Sequence, residues 1–139
     1  MSAVTADITA TEDDLVEAFD DLTLDPAKFT HRAHLSVAWR YLQRHGFPDG
    51  AVKFREQLLR YIDLVGAQGK YHETITWAYM VLLNEELSLG ANPAATFAEV
   101  VVRRPDLLDH RNGAIAACYS RAELDRPAAR RTFMLRRRR

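Results

Sequence analysis

Residues 75–83 read ITWAYMVLL, and this strongly apolar stretch decides how the chain folds. Polar residues precede it in "KYHET" and follow it in "NEELS", before the break at "GANP". The spacing predicts a helix over about 71–87 that is apolar on nearly all sides. A helix of this kind is buried by its neighbours, so we expect it to be the central helix of the molecule.

The rest of the chain also has helical spacing, and no strand-like alternation of apolar and polar residues persists. Start and stop signals predict further helices over about 11–22, 30–45, 51–65, 93–102, 107–119 and 128–135. We therefore expect an all-α fold, a compact bundle of five to seven helices. In this prediction residues 1–139 form a single domain, with residues 1–10 and 136–139 flexible at its ends.

The composition narrows the class of protein and its location. The chain has 139 residues, a formal net charge of zero and one cysteine, Cys118. A single cysteine excludes an intramolecular disulfide framework and fits a reducing compartment. The acidic N-terminus lacks the basic segment and apolar run of a signal peptide, and no apolar run approaches transmembrane length. These features predict a soluble, cytoplasmic protein without a membrane partner.

The charges are unevenly distributed along the chain. Residues 1–27 contain eight acidic residues and no Lys or Arg, whereas residues 121–139 contain eight arginines. We interpret the arginines as a solvated basic tail, with packing against the acidic first helix or contact with nucleic acid as alternatives. Because the tail has no interleaved aromatic residue apart from Phe133, we expect no nucleic-acid partner.

Three histidines lie near the starts of two predicted helices. His31 and His34 share one face of the helix over 30–45 with the apolar residues Leu35, Ala38 and Leu42. On the helix over 71–87, the matching face begins with His72 and continues as Thr76, Tyr79 and Leu83. If the two faces pack together, three imidazoles converge at one end of the core.

Three neutral imidazoles with an open coordination position are typical of a catalytic metal site. We therefore predict a divalent transition metal, either zinc, iron or copper, held by His31, His34 and His72. The positive end of each helix dipole keeps the rings neutral, as metal ligands must be. Glu73 is the candidate acid/base, with Tyr71 and Thr76 as further catalytic residues that position the substrate, and the candidate substrate-binding residues are Lys70, Arg32 and Thr74.

Two other functions remain open. The two helix N-termini could form an anion site, at which His72 and Glu73 act without a metal as a lyase, isomerase or hydrolase. Alternatively, the protein is a non-catalytic binding module with the Arg tail as its contact and structural histidines. The stretch "HETIT" is not the zinc-protease motif, because Thr76 occupies the position of the second histidine ligand. In either enzyme the expected partner is a small-molecule substrate. We expect the protein itself to be a monomer or a homodimer.

Two stretches resemble a family of small, all-helical bacterial proteins without settled function, some of them encoded near biosynthetic genes. They are "FTHRAHLSVAWRYL" at residues 29–42 and "GKYHETITWAYMVLL" at residues 69–83. The family patterns are F-x-H-x-x-H-L and K-Y-H-E-T-x-T. The resemblance implies a helical fold and a shared site that includes His31, His34, Tyr71, His72, Glu73, Thr74 and Thr76. It is compatible with a small-molecule substrate from biosynthesis, and it names no reaction.

Overall fold

The structure is a computed structural model that describes residues 2–90 and 92–136. All of its regular structure within these two ranges is helical, so the predicted all-α class is confirmed. The α-helices are α1 (Ser2–Asp20), α2 (His31–His45), α3 (Asp49–Val65), α4 (Glu73–Leu89), α5 (Phe97–Arg103), α6 (Ala114–Cys118), α7 (Arg121–Leu124) and α8 (Pro127–Arg131). Short 3-10 turns lie at Pro26–Lys28, Gln68–Lys70 and Pro105–Leu108.

Capping residues explain why the boundaries of α2 agree with the prediction. The Thr30 side chain accepts a hydrogen bond from the Ala33 backbone N–H at 3.2 Å, which satisfies a free donor of the first turn. Gly46 ends the helix with φ of 73°, a backbone conformation that other residues rarely adopt. Local chemistry is therefore sufficient to place both ends of α2.

The C-terminal third is divided more finely than the sequence predicts. The predicted helix over 107–119 is observed as the turn at Pro105–Leu108 and α6, and the one over 128–135 as α8. Helix α7 lies between them, where no helix is predicted. Ser120 starts α7 through a capping box with Glu123, and Pro127 starts α8. Because each signal begins a new helix, the described residues form eight α-helices. At the other end, α1 begins at Ser2, earlier than the predicted start at Thr11.

Helix α2 is more deeply buried than α4, although the sequence favours α4 as the central helix. Every residue from Leu35 to Trp39 is buried, and α2 packs against α1, α3, α4 and α5. Helix α4 instead leaves Val81 37% exposed on its outer side. The short helices α6 and α8 cover other parts of α4. Helix α4 is therefore apolar on two sides, because α2 packs against one and the C-terminal helices α6 and α8 pack against the other.

An aromatic cluster joins the first three helices. Phe19 of α1 is completely buried, and its ring stacks on Phe29 and on Phe54, with ring centroids 5.5 Å apart in both pairs. Tyr41 and Tyr61 pack around the same ring. Aromatic pairs of this geometry contribute beyond the burial of their area. The cluster thus fixes α1 on α2 and α3, and it fixes the loop that carries Phe29.

Two acidic residues of α1 form ion pairs with arginines of α2. Arg40 donates to Asp13, and Arg44 donates to Asp20 at 3.0 Å. The arginines at 137–139 lie outside the described residues, so the alternative of a tail packed on α1 stays a prediction. Within residues 2–90 and 92–136, no helix has the length and apolarity needed to cross a membrane.

We expect Phe19→Ala to lower the free energy of unfolding by about 3 to 5 kcal/mol, because it leaves a cavity in the aromatic cluster. Phe133→Ala is the matched control, since Phe133 is 40% exposed and its loss should change stability by less than about 0.5 kcal/mol. Urea unfolding followed by tryptophan fluorescence measures both variants. Equal losses in the two variants would contradict this assignment of the core.

Candidate functional site

His72 caps the start of α4 with one ring nitrogen and bonds α7 with the other. Its Nδ1 accepts a hydrogen bond from the Ile75 backbone N–H at 3.1 Å. Its Nε2 lies 2.7 Å from the Leu124 carbonyl oxygen, to which it donates. These two bonds require the neutral tautomer that carries its proton on Nε2. Ligation of a metal by His72 would therefore break a helix cap or a contact with α7.

Glu73 is held in an ion pair with α3. The Nε–H of Arg55 donates to both carboxylate oxygens, at 2.8 and 3.0 Å, and the Tyr71 hydroxyl also donates to Glu73. Burial raises the pKa of Glu73, but the bonds from Arg55 and Tyr71 outweigh it and hold the pKa below its ordinary value. An ionised carboxylate with these partners is a poor proton carrier, so the geometry favours a structural role.

Thr74 and Thr76 point their hydroxyls at backbone groups of the protein. Thr74 is completely buried, and its Oγ1 lies 2.7 Å from the Ala129 carbonyl oxygen. Thr74 Oγ1 also accepts a hydrogen bond from the Met134 backbone N–H at 3.0 Å, so Thr74 holds the C-terminal segment against α4. Thr76 donates to the His72 carbonyl oxygen at 2.8 Å. Thr76 also lines a cavity.

The two predicted substrate-binding cations lie apart. Lys70 is exposed and lines the rim of a pocket that also includes His34, Tyr71 and His72. Arg32 is exposed as well, but it lines a separate, shallow depression together with Lys28. Lys70 is therefore the cation that the fold brings to the histidines.

Two cavities meet at His34. The outer pocket has a volume of about 300 Å³ and lies between the Phe29 loop, α3 and the start of α4. The inner cavity has a volume of about 120 Å³ and lies between α2, α3 and α4. Both are lined by His34, Ile75 and Thr76, so the two cavities adjoin at these three residues. The inner cavity is otherwise lined by His31, Leu35, Ala38, Phe54, Tyr79 and Met80.

His34 differs from the other predicted ligands because its ring is unpaired. It stacks on Phe29 with ring centroids 5.0 Å apart and an interplanar angle of 8°. Within the described part of the chain, neither ring nitrogen has a hydrogen-bonding partner, and part of the side chain stays accessible. Burial, with a smaller effect of His31, lowers the pKa of His34 from 6.5 to about 4. Near neutral pH the ring therefore offers one donor and one acceptor.

His31 lies on the other side of the inner cavity. Its Nε2 is 2.9 Å from the Leu107 carbonyl oxygen, and its ring centroid is 5.2 Å from that of Tyr79. Burial lowers the pKa of His31; the bond to Leu107 opposes this effect, and nearby His110 adds to it. His31 and His34 thus share one cavity, whereas His72 lines only the outer pocket.

The predicted metal ligands are not gathered at one point. In the described ranges 2–90 and 92–136, no group of three or more His, Cys, Asp or Glu side chains is arranged to hold a metal ion. Metal binding by His31, His34 and His72 therefore stays a prediction. The site that the fold does assemble consists of His34 with the two cavities, His31 and Tyr79 on the inner side, and Lys70 at the outer rim.

Two features of this site were not predicted from the sequence. Tyr79 falls on the predicted inward face of α4, but nothing in the spacing shows that its hydroxyl is left without a partner. The outer wall comes from Leu58, Ile62 and Val65 of α3, which read as an ordinary apolar stripe. The sequence signal for this wall is that the apolar stripe continues to Val65, the last residue of α3.

Comparison with protein-family models, with curated proteins and with solved structures finds no match for this chain. The resemblance carried by residues 29–42 and 69–83 therefore stays a prediction. The chemistry of the site has to be argued from its own geometry.

We expect Glu73→Gln to lower the free energy of unfolding by about 1 kcal/mol at neutral pH, because Arg55 loses its charged partner. The pKa of Glu73 is lower in the folded state, so its stabilisation is present above the unfolded pKa and is lost as pH falls through the folded pKa. The difference between parent and variant should therefore shrink in acid. Urea unfolding at several pH values measures it.

Glu56→Gln is the matched control, since Glu56 is an exposed carboxylate on the same helix as Arg55. It should leave stability nearly unchanged at every pH. A Glu73→Gln variant as stable as the Glu56→Gln variant would show that the ion pair contributes nothing measurable.

Proposed function

We propose that this protein is a small cytoplasmic enzyme that binds a largely apolar acid in the outer pocket and exchanges a proton with it through His34. The observation that carries the proposal is the unpaired, neutral imidazole of His34 in the wall of the pocket. No hydrogen bond within the described residues occupies the ring nitrogens, so they remain free to bond a ligand. Here a bound substrate would supply the missing partner.

The shape and polarity of the outer pocket support a ligand of this class. A volume of about 300 Å³ lies at the small end of the range for small-molecule sites. The walls are largely aromatic and aliphatic, with contributions from Phe29, Leu58, Tyr61 and Ile62. Lys70 at the rim is the charged group best placed to hold an anion. An apolar body with an acidic end therefore matches the pocket.

The chemistry that fits His34 is proton transfer at carbon. A neutral imidazole accepts the proton from the carbon next to a carbonyl group, and the bonding electron pair forms an enolate. The negative charge of the substrate raises the pKa of the imidazole towards its ordinary range, which favours this transfer. Returning the proton to another carbon isomerises the substrate, and expelling a leaving group makes the reaction an elimination. Isomerase and lyase are therefore the proposed reaction classes.

The acid/base residue in this enzyme differs from the one predicted from the sequence, which was Glu73. His34 takes the acid/base role, and Glu73 and His72 hold the start of α4 in place. Tyr71 lines the outer pocket, but its hydroxyl donates to Glu73, and burial with this bond raises its pKa to about 12. Tyr71 therefore shapes the pocket as a neutral ring.

A metal-dependent enzyme is the second candidate. The observation that favours it is that His31 and His34 line the same inner cavity. Zinc, iron or copper would suit two imidazoles, with further ligands from the substrate or water. The non-catalytic module with an Arg tail also stays a prediction, as does the choice between monomer and homodimer.

We expect octanoate to bind the purified protein and Lys70→Met to weaken its binding roughly threefold, as expected for a surface charge pair. Isothermal titration calorimetry measures both. Lys53→Met removes another exposed lysine, one that does not line the pocket, and should leave the affinity unchanged.

The absence of octanoate binding, or an equal effect of the two lysine variants, would contradict the proposed site. Elemental analysis of the same samples distinguishes the metal-dependent enzyme from the metal-free one. A stoichiometric metal that is lost in both His31→Gln and His34→Gln would favour the metal-dependent enzyme.

A further inference from the structure

Tyr79 lines the inner cavity, and its hydroxyl group has no hydrogen-bond partner within the described residues. Two buried side-chain polar atoms lack a hydrogen bond within the described residues, Ser36 Oγ and Tyr79 Oη. Tyr79 is 6% exposed and lines the inner cavity beside His31 and His34. An unpaired hydroxyl in a cavity wall is a donor that a ligand oxygen can satisfy.

The surroundings keep this hydroxyl a donor. Burial, together with the charges of Asp109 and Asp106, raises the pKa of Tyr79 to about 12. The hydroxyl therefore retains its proton near neutral pH. It can donate a hydrogen bond to a carbonyl oxygen.

The inner cavity selects against a charged group. The residues that line it include no Lys or Arg, and its other walls are Leu35, Ala38, Phe54 and Met80. A carboxylate placed there would lose its hydration without gaining a cation. A neutral carbonyl oxygen loses less and finds a matching donor in Tyr79. The two ends of the site thus differ, with a cation at the outer rim and a neutral donor inside.

Taken with the proposed function, on which it rests, the geometry points to an oxo acid as the substrate, with the acid at Lys70 and a ketone in the inner cavity bonded by Tyr79. Tyr79 is then a catalytic residue. His34 removes a proton from the carbon next to the ketone, the C–H bond breaks and an N–H bond forms. The electron pair moves into the enolate, whose oxygen accepts the Tyr79 hydrogen bond. Reversal returns the proton, so no other reactant is needed.

This assignment explains why His34 lines both cavities. A ketone in the inner cavity places its neighbouring carbons at the junction that His34, Ile75 and Thr76 share. The apolar chain then runs through the outer pocket to Lys70. Base, donor and cation thus act on three different parts of one substrate.

The test is hydrogen–deuterium exchange in deuterated buffer. The probes are the methyl-ketone analogues of hexanoate, octanoate and decanoate, in which the ketone is at the end of the chain remote from the acid. Loss of the methyl proton signal in NMR spectra measures exchange next to the ketone. We expect the parent protein to accelerate this exchange for at least one chain length.

Tyr79→Phe should reduce the rate at saturating probe on the order of a hundredfold, as for loss of one donor to a developing oxyanion. The probe concentration at half-maximal rate should change much less, a split that a merely structural role would not produce. Tyr41→Phe is the matched control, because Tyr41 is also buried but lines neither cavity. Thermal unfolding confirms that both variants fold.

The outcomes separate the inference from the proposed function. Exchange that persists in Tyr79→Phe and is lost in His34→Gln overturns the role of Tyr79 alone. Exchange that persists in His34→Gln overturns the proposed function. If octanoate binds in a Lys70-dependent way but no ketone probe exchanges, the inner cavity is not a ketone site.

Discussion

The packing of α2 against α1, α3 and α4 is the constraint on which the site depends. His34 lies on the face of α2 that carries Leu35 and Ala38, so burying that face also carries an imidazole into the protein. The Phe19 cluster holds Phe29 in position, and Phe29 in turn stacks on His34. His34 lines both cavities. Stability and site therefore depend on the same contacts.

The polar residues at the start of α4 show how one motif combines different duties. The ring of His72 replaces the hydroxyl or carboxylate that usually caps a helix. Glu73 ties α4 to α3 through Arg55, and Thr74 ties it to the C-terminal segment. These bonds fix the wall that α4 contributes to both cavities. The polar residues of α4 therefore have structural roles, whereas the His34 imidazole on α2 makes no hydrogen bond to the described residues.

Part of this arrangement could be predicted from the sequence. Helix boundaries follow from local signals such as Thr30 and Gly46, and the inward direction of His34 follows from helical spacing. The partners of His72 and Glu73 could not be predicted, because Leu124 and Arg55 approach from distant parts of the chain. Arg55 reads as part of a solvated face of α3. Spacing shows which face a residue occupies, but it does not show which bonds the residue makes there.

The central claim is that His34 is a neutral imidazole whose ring nitrogens are left for a ligand. The most direct test is a pH titration of the protein with ¹⁵N-labelled histidine, followed by NMR of the ring nitrogens. The account predicts a neutral ring at neutral pH and a midpoint near pH 4 for His34, with ring signals that shift when octanoate is added. A titration midpoint near the ordinary value of 6.5, or ring signals that do not shift when octanoate is added, would contradict this claim.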